Sequence, residues 1–118
     1  MKTLFIVITV NCLAFNVVAQ NRQTQFPGGV VILYEYINKN LAFPSDAKAI
    51  GVSGKVFIEF IVNEDGKIDD KSIKIVKSLH KSCDEEAIRL IRNSPRWEPA
   101  LENGKPVKQQ FVMPIRFN

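Results

Sequence analysis

The chain of 118 residues is 46% hydrophobic and 24% charged, the balance of an ordinary globular protein with room for one core rather than of a disordered chain. Its formal charge of +4 comes from basic residues interleaved with acids, without the clustered stripe and aromatic ladder of a nucleic-acid binder. One histidine and two cysteines, with no spaced ligand cluster, leave little material for a zinc site or a nucleophilic triad.

Lys2 precedes an uncharged apolar run from Leu4 to Val18, closed by Val17-Val18-Ala19, and this pattern is that of an export signal spanning residues 1–19. An uncleaved anchor is the alternative, but a spanning helix needs roughly 20 apolar residues and this run is shorter. With the signal removed, Cys83 is the cysteine that remains, so the domain depends on its core rather than on an internal disulfide. The reading is of an exported, periplasmic protein, membrane-associated if the signal stays.

Residues 20–26 form a short polar segment, and the domain is expected over 27–118. Phe26-Pro27-Gly28-Gly29 is turn-rich punctuation. Val30, Leu33, Tyr34, Ile37 and Leu41 then recur at helical spacing, which predicts an amphipathic helix over 30–40. Phe43-Pro44 breaks it, since proline drives the preceding residue toward extended geometry. Ser45 opens a short turn containing Ala47 and Ile50, with Gly51 as its stop.

A hairpin is the clearest signal in the chain. Val56, Ile58, Phe60 and Val62 alternate, Asp65-Gly66 supplies a tight turn with positive φ, and Ile73 and Ile75 alternate on the return. Phe57 and Ile61 on the other face suggest cover on both sides, by helices or by a second copy. Ser82 and Glu85 fit a capping box. Cys83, Ala87, Leu90, Ile91 and Ser94 then line one face of a helix that Pro95 ends. A loop with Trp97, Pro99 and Gly104 leads to a last strand beginning near Pro106.

In that strand Val107, Gln109, Phe111, Met113, Ile115 and Phe117 fall on one face, and Lys108, Gln110, Val112, Pro114 and Arg116 on the other. Pro114 cannot donate to a ladder, which places the strand at a sheet edge. The order is helix, hairpin, helix, strand.

None of the reactive side chains forms a constellation. His80 lies beside Lys81 in a polar turn. Cys83 stands at a helix N-terminus, where the dipole lowers a thiol pKa, but on the apolar face, which favours a buried small hydrophobe. Asp69 and Asp70 are adjacent strand residues aimed at opposite faces. Asp84, Glu85 and Glu86 fill a first helical turn, where acids oppose the dipole. Gly51 to Gly54 lacks the lysine and hydroxyl of a phosphate loop. Trp97 reads first as a core anchor. No enzyme, cofactor, metal, nucleic acid or small-molecule substrate is expected.

The stretches YINKNLAFPSDAKAIGVSGKVFIEFIVNEDGKI, DEEAIRLIRNSPRWEPALENGKPV and MPIRF resemble, in order, the C-terminal domain of TonB in the form abundant in Bacteroidetes. The likeness runs over about residues 27–117. The family's tyrosine-proline step stands here as Phe43-Pro44, its strand-turn as Val56 to Ile68 with Asp65-Gly66, and its tryptophan-x-proline step as Trp97 to Pro99, with Cys83 structural. The resemblance implies an α+β fold in which a three-stranded antiparallel sheet packs against two helices. It also implies that the domain grips the TonB box of an outer-membrane transporter, or another envelope protein, by adding a strand to its edge. Phe43, Pro44, Val107, Lys108, Gln109, Gln110, Phe111, Val112 and Met113 are the residues it assigns to that contact, in a strand running from Val107 to Ile115. A homodimer through the same edge is the alternative. The family's full transducers carry an inner-membrane anchor and a long proline-rich spacer. Residues 20–26 reach only about 25 Å when extended, so this domain is not expected to couple the two membranes alone.

Overall fold

The computed structural model describes residues 21–118, and the export signal expected in residues 1–19 lies outside them. Helices α1 (Val30–Asn40) and α2 (Ser45–Ala49) lead into strand β1 (Gly54–Val62); a 3-10 turn (Asp70–Ser72) precedes β2 (Lys74–Lys77). Helix α3 (Lys81–Arg92) follows, then β3 (Ala100–Glu102), β4 (Lys105–Val107) and β5 (Gln109–Phe117). The main sheet has the order β2-β1-β5 with both pairings antiparallel, and β3-β4 forms a separate two-stranded ribbon.

The period-2 pattern of β1 sends Val56, Ile58, Phe60 and Val62 to one face, where all four are fully buried. Met113, Ile115 and Phe117 of β5 join them, and Leu33 and Ile37 of α1 with Cys83, Ala87, Leu90 and Ile91 of α3 close the core from the same side. Both long helices therefore cover one face of the sheet. The other face carries half-buried Phe57 and Ile61, which the sequence suggested lay under a second cover. Phe57 instead has the Lys77 ammonium over its ring, 5.8 Å from the centroid.

Trp97 is the hub of the second half of the core. Its ring meets Phe26, Phe60 and Phe111 at centroid distances of 5.4, 5.3 and 5.2 Å, in edge-to-face geometries that aromatic quadrupoles favour. Phe26 and Thr24 are both buried, and the backbone bridges Arg22 to Leu101 and Gln25 to Glu98 bind residues 22–25 to the loop after Trp97. The segment read as a short polar lead is thus, from Asn21 onward, a working part of the fold.

Four local expectations need correction. The turn after β1 is wider than a two-residue hairpin: Val62 bridges Ile68, the 3-10 turn interrupts the return, and Gly66 has φ 85 while Asp65 does not adopt positive φ. Asp65 instead accepts from the Lys67 amide, an Asx turn that sets the loop. Helix α3 is capped by His80, whose Nδ1 accepts from the Ser82 amide at 3.3 Å, so Ser82 lies inside the helix and no Ser82–Glu85 box forms. Asp84 is engaged elsewhere, accepting from the Leu79 amide and the Ser78 hydroxyl. The residues after Trp97, read as a loop, contain the β3-β4 ribbon. Asn103 and Gly104 both have positive φ, as a tight hairpin turn requires, and Pro99 leads into the ribbon.

The fourth correction concerns the last strand. Val107 pairs with Ala100 in β4, Lys108 separates the two strands, and β5 begins at Gln109.

Candidate functional site

The two edges of the main sheet are unlike. β2 has four residues, begins and ends with lysine, and pairs with β1 across a bulge between Phe57 and Ile58. Shortness, lysines and a bulge are the devices that keep an edge from pairing with another chain. β5 has nine residues and an unbroken register with β1, from Gln109 opposite Val62 to Phe117 opposite Gly54. It is the long, regular edge of the domain.

Which groups β5 leaves open follows from β1. The amide of Ile61 donates to the Ser72 hydroxyl at 2.8 Å and its carbonyl accepts from the Asp69 amide at 3.0 Å, so both groups face away from β5. In an antiparallel strand a residue's N–H and C=O point the same way, and the direction alternates along the chain. Gln110, which stands opposite Ile61, accordingly turns its own backbone groups to the open side, as do Val112, Pro114 and Arg116. Pro114 has the one backbone nitrogen that cannot donate, and it falls on this unpaired side, where the ladder loses nothing. The even residues of β5 thus present their backbones to a new strand and their side chains to the outer face. All four of those side chains are exposed.

Of the residues assigned to the contact by resemblance, Gln110 and Val112 meet both conditions. Phe111 and Met113 turn inward, Phe111 onto Trp97 and Phe60 and Met113 into the core. Gln109 is occupied, its Oε1 accepting from the Thr24 amide at 2.6 Å. Val107 and Lys108 flank the edge at its start. Phe43 reaches the far end of β5, but its half-buried ring packs edge-to-face on Phe117 at 5.8 Å, and Pro44 precedes α2. Pro114 and Arg116 were not assigned to the contact. The signal that identifies them is the proline itself, because it fixes which residues face out.

The edge is flanked as well as open. Tyr34 and Asn38 of α1, with Lys55, Pro114 and Arg116, line a pocket of about 250 Å³ beside the C-terminal half of β5. Tyr34 is 55% exposed there, and Val30, Val31 and Ile32 continue an apolar surface along α1. Near Gln109 a second, shallower depression is formed with Arg22, Leu101 and Val107.

The two groups most suggestive of chemistry have other employment. His80 caps α3. Cys83 is fully buried, and burial, followed by the negative charges of Asp84 and Asp46, pushes its thiol pKa up, away from the thiolate form a nucleophile needs.

An α+β domain with one blunted edge and one long open edge has the geometry that addition of an extended segment as a further strand requires. Residues 39–118 match the family described as the Gram-negative bacterial TonB protein C-terminal, and the chain belongs to that family. It is 32% identical over 68 residues to protein TonB of Pseudomonas aeruginosa; the match takes in 58% of this chain and 19% of that protein, about a fifth of its length. The fold resembles two solution structures of the TonB C-terminal domain of Helicobacter pylori. One, of its residues 194–285, has a TM-score of 0.55 and 22% identity over 75% of this chain and 90% of that one. The other, of residues 179–285, has a TM-score of 0.54 and 24% identity over 71% and 74%.

Proposed function

We propose that this is a non-enzymatic, periplasmic TonB-like protein that binds the TonB box of an outer-membrane transporter, or a like segment of another envelope protein, by adding it to β5 as a fourth strand, in the service of energy-dependent transport. The open backbone of Gln110, Val112, Pro114 and Arg116, beside a second edge that is blunted, is the observation that carries this reading.

Magnitudes constrain how such binding works. Each backbone hydrogen bond contributes about 1 kcal/mol net, and association itself costs at least about 4 kcal/mol before side chains are ordered. The few bonds that this edge can form roughly offset that cost. Useful affinity therefore depends on side chains of the added strand reaching the pocket beside α1. The test is an NMR titration of the folded domain with TonB-box peptides from the same organism's transporters. Shifts on β5 and around Tyr34 support the reading, whereas shifts confined to β2 or absent altogether overturn it.

A further inference from the structure

Three cations converge on one hollow beyond the Val62 end of β1. Lys67, Arg92 and Arg96, with Asp70, Ser94 and Ile68, line a pocket of about 330 Å³ between the loop after β1 and the turn that follows α3. The core holds both walls in place. The Ser94 hydroxyl donates to the Ile91 carbonyl at 2.7 Å and accepts from the Trp97 indole N–H at 3.2 Å, which fixes the turn that carries Arg96. The Trp97 amide donates to the Gly66 carbonyl at 2.8 Å and brings Lys67 alongside, while Arg96 Cγ lies over Gly66, 2.7 Å from where a Cβ would stand.

Structure accounts for only part of this charge. Arg92 is in the last turn of α3, where a cation opposes the helix dipole. Its Nε is 3.8 Å from Asp70, with both side chains more than half exposed, and such a pair is worth little. Among the described residues, neither Lys67 nor Arg96 joins an ion pair. The three cations and the one acid leave the pocket two positive charges in excess.

We infer that this pocket is a phosphate-binding site, which takes the dianionic phosphate monoester of a small molecule or of a lipid headgroup. Two guanidinium forks and an ammonium suit a tetrahedral group with three terminal oxygens. A dianion matches the excess charge, whereas a carboxylate carries half of it and two oxygens. None of the lining residues belongs to β5 or α1, so the site does not depend on strand addition.

The probe is glycerol phosphate, with acetate at equal ionic strength as the control, followed by NMR at backbone amides and arginine Nε. Phosphate is expected to bind about tenfold more tightly than acetate, with shifts at Lys67, Arg92 and Arg96. Its affinity should rise about fivefold from pH 5 to pH 7.5, because a phosphate monoester loses its second proton near pH 6. Unspecific attraction would run the other way, since the protein gains positive charge as pH falls. Arg96→Gln, which keeps the Cγ over Gly66, and Lys67→Gln should each weaken phosphate about fivefold, and the double variant should lose the preference over acetate. Lys71→Gln, outside the pocket, should change nothing. Vesicles of phosphatidic acid bound in preference to phosphatidylglycerol vesicles of equal surface charge, and released by the double variant, would assign the phosphate to a lipid; binding of glycerol phosphate without the vesicles would assign it to a soluble ligand. Equal affinities for phosphate and acetate, or variants that bind as the wild type does, would overturn the site.

Discussion

The backbone amide of Trp97 donates to the carbonyl of Gly66 at 2.8 Å, and the carbonyl of Trp97 lies where a Cβ on Gly66 would have to stand. The loop after β1 is thereby fastened to the aromatic hub of the core, and its glycine is required twice, for φ 85 and for the close approach. Gly66→Ala should cost at least about 3 kcal/mol, combining backbone strain with a clash against main chain that cannot swing away. Gly51 has φ 76 but open space around it, and Gly51→Ala should cost only about 1 kcal/mol. Urea unfolding of both variants distinguishes these cases; equal losses would mean that the contact with Trp97 contributes nothing.

Val112 supplies the central open N–H of β5, and Val112→Pro removes that donor while leaving the bonds to β1 in place. Peptide affinity should fall about fivefold or more, with the fold retained because Pro114 already occupies an equivalent position. Lys77→Gln, on the blunted edge, should leave affinity unchanged. Calorimetry checks the pair, and equal effects would remove the edge from the account.

Glu86 is a buried acid that ties α3 to the link between α1 and α2. Its carboxylate accepts from the Ala42 amide at 2.6 Å and from Arg89 Nε and Nη2 at 2.6 and 2.8 Å, while Arg89 also donates to the Asn40 carbonyl. The hydrogen bonds from Arg89 hold its pKa below the usual value of 4.5, against burial, which pushes it up. A carboxyl whose pKa is depressed by folding stabilises the fold fully above its unfolded pKa and loses that contribution as pH falls through its folded one. Glu86→Gln should therefore destabilise the domain by roughly 2 kcal/mol near neutrality, with a difference from wild type that narrows below the ordinary carboxylate range. Unfolding free energies measured across that range test it, and a difference constant with pH would contradict it.

Cys83 is fully buried with its thiol held in the protonated form. It should resist a thiol reagent in the native state and react at once in urea. Cys83→Ala should cost about 1–2 kcal/mol and leave peptide binding as it was. Rapid labelling of the folded protein would return thiol chemistry to consideration.

The long periodic elements were legible in the sequence because one physical pattern dominates each. The apolar repeat from Val30 to Leu41 predicts α1 over the residues it occupies, Val30–Asn40, and the alternation through Val56 and Val62 predicts β1. What escaped were features set by competition between neighbours. Ser82 has the right chemistry for a cap, yet His80 two residues earlier captures its amide. Asn103-Gly104 is a strong hairpin signal, hidden by Pro106, which looked like the start of a longer strand. The resemblance assigns Phe111 and Met113 to the contact because it covers the whole strand. The alternation that made the strand recognisable also turns those two residues inward. The pocket could not be seen at all, since it joins α1 to a strand end about eighty residues later.

Hydrogen exchange at the amides of β5, with and without a bound peptide, tests strand addition most directly. In the free domain Gln110, Val112 and Arg116 should exchange fast while Phe111, Met113 and Ile115, bonded to β1, are protected. On binding, the first set should become protected and the second should change little. Protection of the even-numbered amides in the free monomer, or no gain on binding, would contradict the account.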